Sequence, residues 1–364
     1  MTAPNHGPDN PNRLTFDVVI ATRNRPDALA LTIPLLLGQS RRPERLIVID
    51  SSDDHAPVAA VVAETTAGHP VEIIVEHGEK GLTRQRNRGL AHVTADIVFF
   101  PDDDALFHPG TSAAMMEIYE RDTGRQIAAL NPADAPLPPP GVLEGAAYDM
   151  TAAHKRMART VRLRNAIGRM IAEANPRFVI GRILMARAPD LPWMRDLDAV
   201  HVEWMTGYRM SFRSEAIKAA GFEPVFGGYA LFEDTDASWA VTDAGCVVGA
   251  NRGGVYHHRA PGGRANRYGL GAMGLANLAY LMAKHAADRR LTAAQVAEAR
   301  KKTHRYARLR MLMAWAKSLR GDRGAAEDLR GMRAAKPAID RLFDAPRAQL
   351  AETYLAIKRE LGID

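Results

Sequence analysis

Two acidic clusters carry most of the chemistry that can be argued from this chain. The first is Asp102-Asp103-Asp104, reached from the apolar run Asp96-Ile97-Val98-Phe99-Phe100 through Pro101. Three adjacent carboxylates repel one another, and a strand end has no intrinsic use for them. A divalent cation removes that repulsion, and magnesium or manganese typically binds one or two carboxylates together with substrate phosphates. The competing reading is a solvated turn whose Asp residues cap a helix. The second cluster is Glu233-Asp234 with Asp236, after the turn Gly227-Gly228 and ahead of a predicted helix. Taken by themselves, three carboxylates within four positions at a predicted helix start read as helix N-terminal capping.

The elements that must position these groups follow from hydrophobic pattern. Apolar, β-favouring runs predict strands over 16–22, 45–50, 71–75 and 96–100, separated by predicted helices over 28–37, 58–66 and 83–92. Pro34 is expected to kink or restart the first helix. Alternating strand and helix predicts a mostly parallel sheet, with ligands beyond the carboxyl ends of its strands. Three such ends are polar: Thr22-Arg23-Asn24, Asp50-Ser51-Ser52 and Asp102-Asp103-Asp104. The proline-rich stretch 131–141 reads as a loop, not a central strand. Residues 155–195 interleave Lys and Arg with apolar positions and predict one or two basic amphipathic helices. A half-buried strand is expected over 205–213, a short helix over 214–220 ending at Gly221, and a last short strand over 246–250. The chain from about 268 onward reads as helical, and no fixed-period repeat is present.

Composition sets outer bounds. With 364 residues, 46% apolar and 25% charged, the chain can bury a sizeable core in one or two domains. Its single cysteine, Cys246, excludes an intrachain disulfide and fits a reducing compartment. No apolar run is long enough to predict a transmembrane helix. Residues 1–15, rich in Pro and Asn and without an apolar core, read as a disordered leader and not a signal peptide. The net charge of +6 allows anionic partners without choosing among them. No nucleic-acid reading motif accompanies the basic segment, so nucleic acid is not expected.

Together these stretches resemble the family 2 glycosyltransferases, which have the GT-A fold and use nucleotide-diphosphate sugars. The family's opening strand and loop match Val18-Val19-Ile20-Ala21-Thr22-Arg23-Asn24-Arg25-Pro26. Its second strand end matches Val48-Ile49-Asp50-Ser51-Ser52-Asp53-Asp54, where Ser51 replaces the usual acidic or amide residue. Gly81-Leu82-Thr83-Arg84-Gln85-Arg86-Asn87-Arg88-Gly89 matches its Gly-x-x-x-Ala-Arg-Asn-x-Gly element. Asp102-Asp103-Asp104 matches the metal-binding Asp-x-Asp. Gly207 to Arg213 matches a Gly-x-x-Met-x-Phe-Arg strand, with Tyr208 where Asn is frequent, and Glu233-Asp234 matches the acceptor-side Glu-Asp pair. The resemblance covers roughly residues 15 to 260. The Gln-x-x-Arg-Trp motif of processive synthases is absent, and Trp239 does not substitute for it, which implies a single-addition transferase.

The resemblance implies an α/β GT-A fold: a Rossmann-like, mostly parallel sheet flanked by helices, with a helical C-terminal extension. It places a GT-A domain at 16–264, with a nucleotide-binding half at about 16–130 and an acceptor half at about 150–264. A helical region follows at 265–364. Manganese or magnesium is expected on Asp104 and Asp102, with His258 as third ligand and His257 as its alternative. Thr22, Arg23, Asn24, Arg25, Asp50, Arg86, Asn87, Asp102 and Asp103 are expected on the nucleotide sugar. Within that set, Asp50 and Thr22 would meet the base or ribose, Arg86 the diphosphate, Asn87 the base or ribose, and Asp103 the sugar or ribose. A surface ion pair is the other reading for Arg25. Asp234 is expected as general base with Glu233 beside it, and Gly207, Tyr208, Asp236 and Trp239 on the acceptor side. Arg264 and Arg267 would close over the phosphates.

The function so implied is metal-dependent, inverting transfer from a nucleotide-diphosphate sugar, UDP by default. The acceptor would be a glycan or a polyprenyl-diphosphate-linked sugar in polysaccharide or glycolipid assembly. Nucleotidyl transfer is an alternative, opposed by the lack of glycine and lysine in the first loop. A non-catalytic nucleotide- or glycan-binding domain is another, opposed by both complete acidic clusters. The expected location is cytoplasmic. A basic stretch over 300–315 sets cations beside Leu309, Leu312, Met313 and Trp315, which allows peripheral contact with an anionic membrane. The competing reading packs that apolar stripe on the protein itself.

Overall fold

The computed structural model describes residues 13–142, 174–260 and 266–363. The leader residues 1–12, the basic stretch 155–173 and Arg264 lie outside them. The chain divides into two compact units, Met1–Val142 with Leu184–Gly263, and Leu143–Ile183 with Arg264–Asp364.

The first unit is built on a nine-stranded sheet. Its strands are β1 (Phe16–Thr22), β2 (Arg45–Asp50), β3 (Glu72–His77), β4 (Ile97–Pro101), β5 (Ala105–Phe107), β6 (Ile127–Asp134), β7 (Ala199–His201), β8 (Arg209–Arg213) and β9 (Cys246–His257). The order is β3-β2-β1-β4-β8-β6-β9-β5, with β7 on β9. The half β3-β2-β1-β4 is parallel throughout, and β6 runs parallel to β9. Antiparallel neighbours enter at β8, which lies between β4 and β6, and along β9, which receives β5 and β7.

Strand alternation explains why the parallel strands read as unbroken apolar runs. Val18, Ile20, Val48 and Phe99 point to one face, against α1 (Pro26–Leu37), α2 (Ala56–Thr66) and α4 (Thr111–Arg121). Val19, Ile47, Ile49, Val98 and Phe100 point to the other, against α3 (Leu82–Leu90), α6 (Ser214–Ala220) and α7 (Glu233–Ala240). Burying each such side chain contributes about 1.5–3 kcal/mol. On the second face α3 rides very low. A Cβ on Gly89 would lie 2.3 Å from Val19 Cγ1, so only glycine lets this helix touch the sheet here.

Several sequence expectations need correction. α1 runs through Pro34 without a break. Both Pro34 and Ala30, whose carbonyl loses its partner, are exposed, so water can take that carbonyl while Leu29, Ile33 and Leu37 hold the opposite face in the core. Residues 131–134 are strand, not loop. The register of β6 against β9 shifts between Asn131 and Ala133, and that irregularity accommodates Pro132, which has no N–H for the ladder. The last strand is far longer than 246–250. α4, β5 and β7 had no periodic signal strong enough to read. Of the basic segment, the described part holds one α-helix, α5 (Arg177–Met185), and the start of a 3-10 helix, Pro192–Leu197.

The second unit is helical over α8 (Arg267–Asp288), α9 (Ala293–Ser318), α10 (Arg323–Ala335), α11 (Ala338–Asp344) and α12 (Leu350–Leu361). Capping sets the starts: Asn266 accepts from Gly269 N–H, Thr292 and Gln295 form a reciprocal capping box, and Asp322 accepts from Ala325 N–H. α8 and α10 cross with backbones in contact at Gly271 and Gly331. No described helix is long and apolar enough to cross a membrane.

Candidate active site

The carboxyl ends of β1, β2 and β4 and the start of β8 face one end of the sheet. Asp102 leaves β4 still bridged to Ala21, and its N–H donates to Tyr208 O (3.1 Å). The three Asp residues then diverge. Asp103 turns inward, accepting from the Thr22 hydroxyl (2.8 Å) and from Arg25 Nη1 (2.9 Å). Burial pushes its carboxyl up to about 7, against the pull of Arg25. Asp104 Oδ2 accepts from Ala260 N–H (3.0 Å) and Arg25 Nη1 (3.3 Å). Burial raises the Asp104 pKa, but His257, Arg25 and the Ala260 amide together outweigh it and hold the carboxyl below its ordinary range.

The other oxygen of Asp104 is the telling one. Oδ1 is buried without a hydrogen-bond donor, although His257 Nε2 stands 3.3 Å away. Asp102, Asp104 and His257 each offer a ligand atom, and these atoms lie within 4.8 Å of one another. Two carboxylates and an imidazole suit manganese or magnesium, and the orphaned oxygen would gain a partner from such an ion. This donor set fits a divalent cation.

His257, not His258, is the histidine brought to the carboxylates. β9 pairs His257 with Ala105, next to Asp104, and alternation turns the neighbouring side chain to the other face. What His258 gives Asp104 is its backbone N–H, to the carbonyl (3.0 Å). The His257 ring is stacked on Tyr208 (centroids 4.4 Å apart, planes 15° apart), and the Tyr208 hydroxyl donates to Asp134 Oδ1 (2.7 Å). Tyr208 therefore supports the histidine instead of lining an acceptor surface.

Arg86 joins the two acidic clusters. It is 2% exposed, donating through Nη2 to Asp102 Oδ1 (2.9 Å) and Gly207 O (3.2 Å), and through Nη1 to Glu233 Oε1 (2.9 Å). That position corrects its expected role on a diphosphate, because its donors are engaged inside the protein. Burial drives the Glu233 carboxyl upward, with Asp234 adding repulsion and Arg86 opposing both. Burial likewise raises Asp102, opposed by Arg86.

Asp234 is the second residue of α7 and is half-buried. Its Oδ2 accepts from Gly207 N–H (3.1 Å), and its Oδ1 from Thr235 N–H (2.6 Å) within the first turn of α7. The turn before it holds Ala230 (φ 49°) and Phe232 (φ 75°) in left-handed conformations that non-glycine residues rarely adopt. Gly207 is pressed against this pair: a Cβ there would meet Glu233 Oε1 at 2.8 Å.

Other expected positions resolve differently. Asn87 is turned to the Phe222 backbone, donating to its carbonyl (2.7 Å) and accepting from its N–H (2.8 Å), and so anchors the loop after α6. Trp239 is fully buried with Nε1 donating to Glu203 O (2.8 Å), and Asp236 is buried beside it on α7, so neither faces an acceptor. Asp50 is fully buried. It accepts from Ser52 N–H (2.8 Å), and His55 Nδ1 lies 2.8 Å from its Oδ2. Arg23 and Asn24 hold Asp53 (3.1 and 2.9 Å). Sequence reasoning missed the His55–His77 ring pair (5.1 Å), the Tyr208 stack and the Arg86 bridge. His55 follows the end of β2 and His77 closes β3, which is the signal that could have found them.

Residues 17–131 match the family model described as glycosyl transferase family 2. Among curated relatives, an uncharacterized glycosyltransferase of Bacillus subtilis (strain 168), YwdF, is 29% identical over 98 residues, which is 27% of this chain and 35% of the relative. The amylovoran biosynthesis glycosyltransferase AmsB of Erwinia amylovora is 26% identical over 114 residues, 31% of this chain and 38% of the relative. The matches thus span little more than a third of these relatives' length. Among solved structures, the mannosyltransferase PcManGT of Pyrobaculum calidifontis, in complex with GDP-Man and Mn2+, superposes with a TM-score of 0.49 at 17% identity, over 96% of this chain and 86% of that one. TarS 1–349 of S. aureus gives 0.47 at 11% identity, over 96% and 92%.

Proposed function

We propose that this chain, whose residues 17–131 match the glycosyl transferase family 2 model, moves a sugar from a nucleotide-diphosphate sugar to an acceptor hydroxyl. The observation that carries the reading is the Asp102–Asp104–His257 cluster joined through buried Arg86 to Glu233–Asp234. One cluster suits a cation and phosphates, and the other suits a hydroxyl that must lose a proton.

A divalent ion held by Asp102, Asp104 and His257 would supply charge neutralisation for the departing nucleotide diphosphate. The remaining work falls to the chain's own residues. Arg25 and Thr22 keep Asp103 turned away from the cation cluster, and Tyr208 holds the His257 ring in plane. Asp234 takes the proton of the acceptor hydroxyl. The acceptor oxygen then bonds to the anomeric carbon, the bond from that carbon to the phosphate oxygen breaks, and its electron pair leaves with the diphosphate. One displacement inverts the anomeric centre. Glu233, drawn inward by Arg86, sets the position of Asp234 and of the Gly207 turn. UDP is the default donor nucleotide, and a glycan or lipid-linked sugar is the acceptor class.

Incubation with a panel of nucleotide sugars, with manganese and with chelator, tests this directly. Release of nucleoside diphosphate that requires the metal, and an inverted product by NMR, are the expected results. No turnover of any nucleotide sugar with metal and a range of glycan acceptors would overturn the reading.

A further inference from the structure

Helix α9 carries two opposed faces. Its buried positions, Ala299, Thr303, Ala307 and Ala314, pack within the helical unit. At 3.6 residues per turn, Lys301, Arg305, Arg308, Leu312 and Trp315, with the C-cap residue Leu319 continuing the turn in helical conformation, fall in one stripe about 80° wide on the opposite side. All six are exposed, with Leu312 at 57%, Trp315 at 46% and Leu319 at 67%. The stripe is ordered along its length, cations first and large apolar side chains in the last two turns. No acidic residue occurs between Glu298 and Asp322. Arg300 is turned off the stripe into ion pairs with Asp340 and Asp344 (both 2.6 Å).

This pattern selects a partner by chemistry. Water alone disfavours three large apolar side chains in a row on a helix. An apolar protein groove would strand the cations, and a nucleic acid would engage the cations without a use for Leu312 and Leu319. An anionic bilayer surface offers both layers at once: phosphates for Lys301, Arg305 and Arg308, and the acyl boundary beneath for Leu312, Trp315 and Leu319. Tryptophan sits well at that boundary. We propose that this face seats the protein on an anionic lipid surface. The inference stands apart from the transferase reading, since it rests on the helical unit alone.

The test is flotation of the full chain with phosphatidylcholine vesicles, with and without phosphatidylglycerol, at low and high salt. Binding is expected to the anionic vesicles only, weakened at high salt, with a blue shift in fluorescence that Trp315→Phe removes. Arg305→Glu with Arg308→Glu should cut binding at least about tenfold. Leu312→Ser with Trp315→Ser and Leu319→Ser should do the same while circular dichroism stays unchanged, because these side chains are exposed. Four outcomes would overturn the proposal: no binding to either vesicle at low salt, equal binding to both, full binding by the triple Ser variant, or loss of a dimer by that variant in sedimentation without any vesicle binding.

Discussion

Replacing Gly207 by alanine tests whether the acceptor-side pair is held as tightly as its geometry implies. The new Cβ would stand 2.8 Å from Glu233 Oε1 and 3.5 Å from Asp234 Cβ. An ordinary contact is near 3.4 Å, so Glu233 must retreat by about 0.6 Å or leave its rotamer. It cannot retreat freely, because the same oxygen accepts from Arg86 at 2.9 Å. Overpacking of this size costs about 1–2 kcal/mol of stability. A displacement of 1 Å can cost a hundredfold in rate, so turnover should fall about ten- to thirtyfold. Calorimetric nucleotide affinity should hardly change, since the Thr22–Asp103 and Asp104–Ala260 contacts are untouched. Glu233→Asp, one methylene shorter, makes room for the methyl group, so the double variant should lose less than the two single losses combined. Wild-type turnover and denaturant midpoint in Gly207→Ala, or strictly additive losses in the double variant, would refute the reasoning.

Asp104→Ala should remove manganese-dependent nucleotide binding in calorimetry while leaving the fold intact, and unchanged metal-assisted affinity would dismiss the cation site. Asp234→Asn should retain donor affinity and lose about a hundredfold or more in turnover at saturating acceptor, as removal of a general base does. Asp103 supplies a pH signature. Its folded pKa of about 7 stands above the unfolded value, so the folded state binds the extra proton and stability falls as pH rises from about 4 toward 7. Denaturant titrations in chelator should show that decline, and Asp103→Asn should lessen its slope by at most about 1.4 kcal/mol per pH unit, the remainder coming from Asp102 and Glu233, which burial also raises. An identical slope in the variant would show that Asp103 titrates elsewhere.

The parallel half of the sheet was legible in the sequence because strands buried on both faces leave unbroken apolar runs. The short helix ending at Gly221 was legible because glycine there adopts φ 67°, a turn few other residues take. Strand β6 was hidden by Pro132, whose cost is absorbed only through a partner, β9, more than a hundred residues away. The choice between His257 and His258 had the same character. It depends on the register Ala105↔His257, and nothing local to two adjacent histidines reveals it. Arg86 was recognised as a site residue, yet its role turned on burial between two acids from distant segments. Asn87 beside it points the other way because adjacent positions on α3 lie about 100° apart. Residue type marked the candidate site, and long-range pairing decided which side chains meet there.

The low seat of α3 has a consequence of its own. Arg86 stands one turn before Gly89, so the height of the guanidinium above the sheet is set by a gap the size of one missing methyl group. Any side chain at 89 would lift that turn off Val19 and carry Arg86 away from Asp102 and Glu233 together. The Asp102 and Glu233 clusters would then lose their common tether at once, through a residue that touches neither. The spacing between the two acidic clusters is thus gauged by a single absent side chain, where α3 meets Val19.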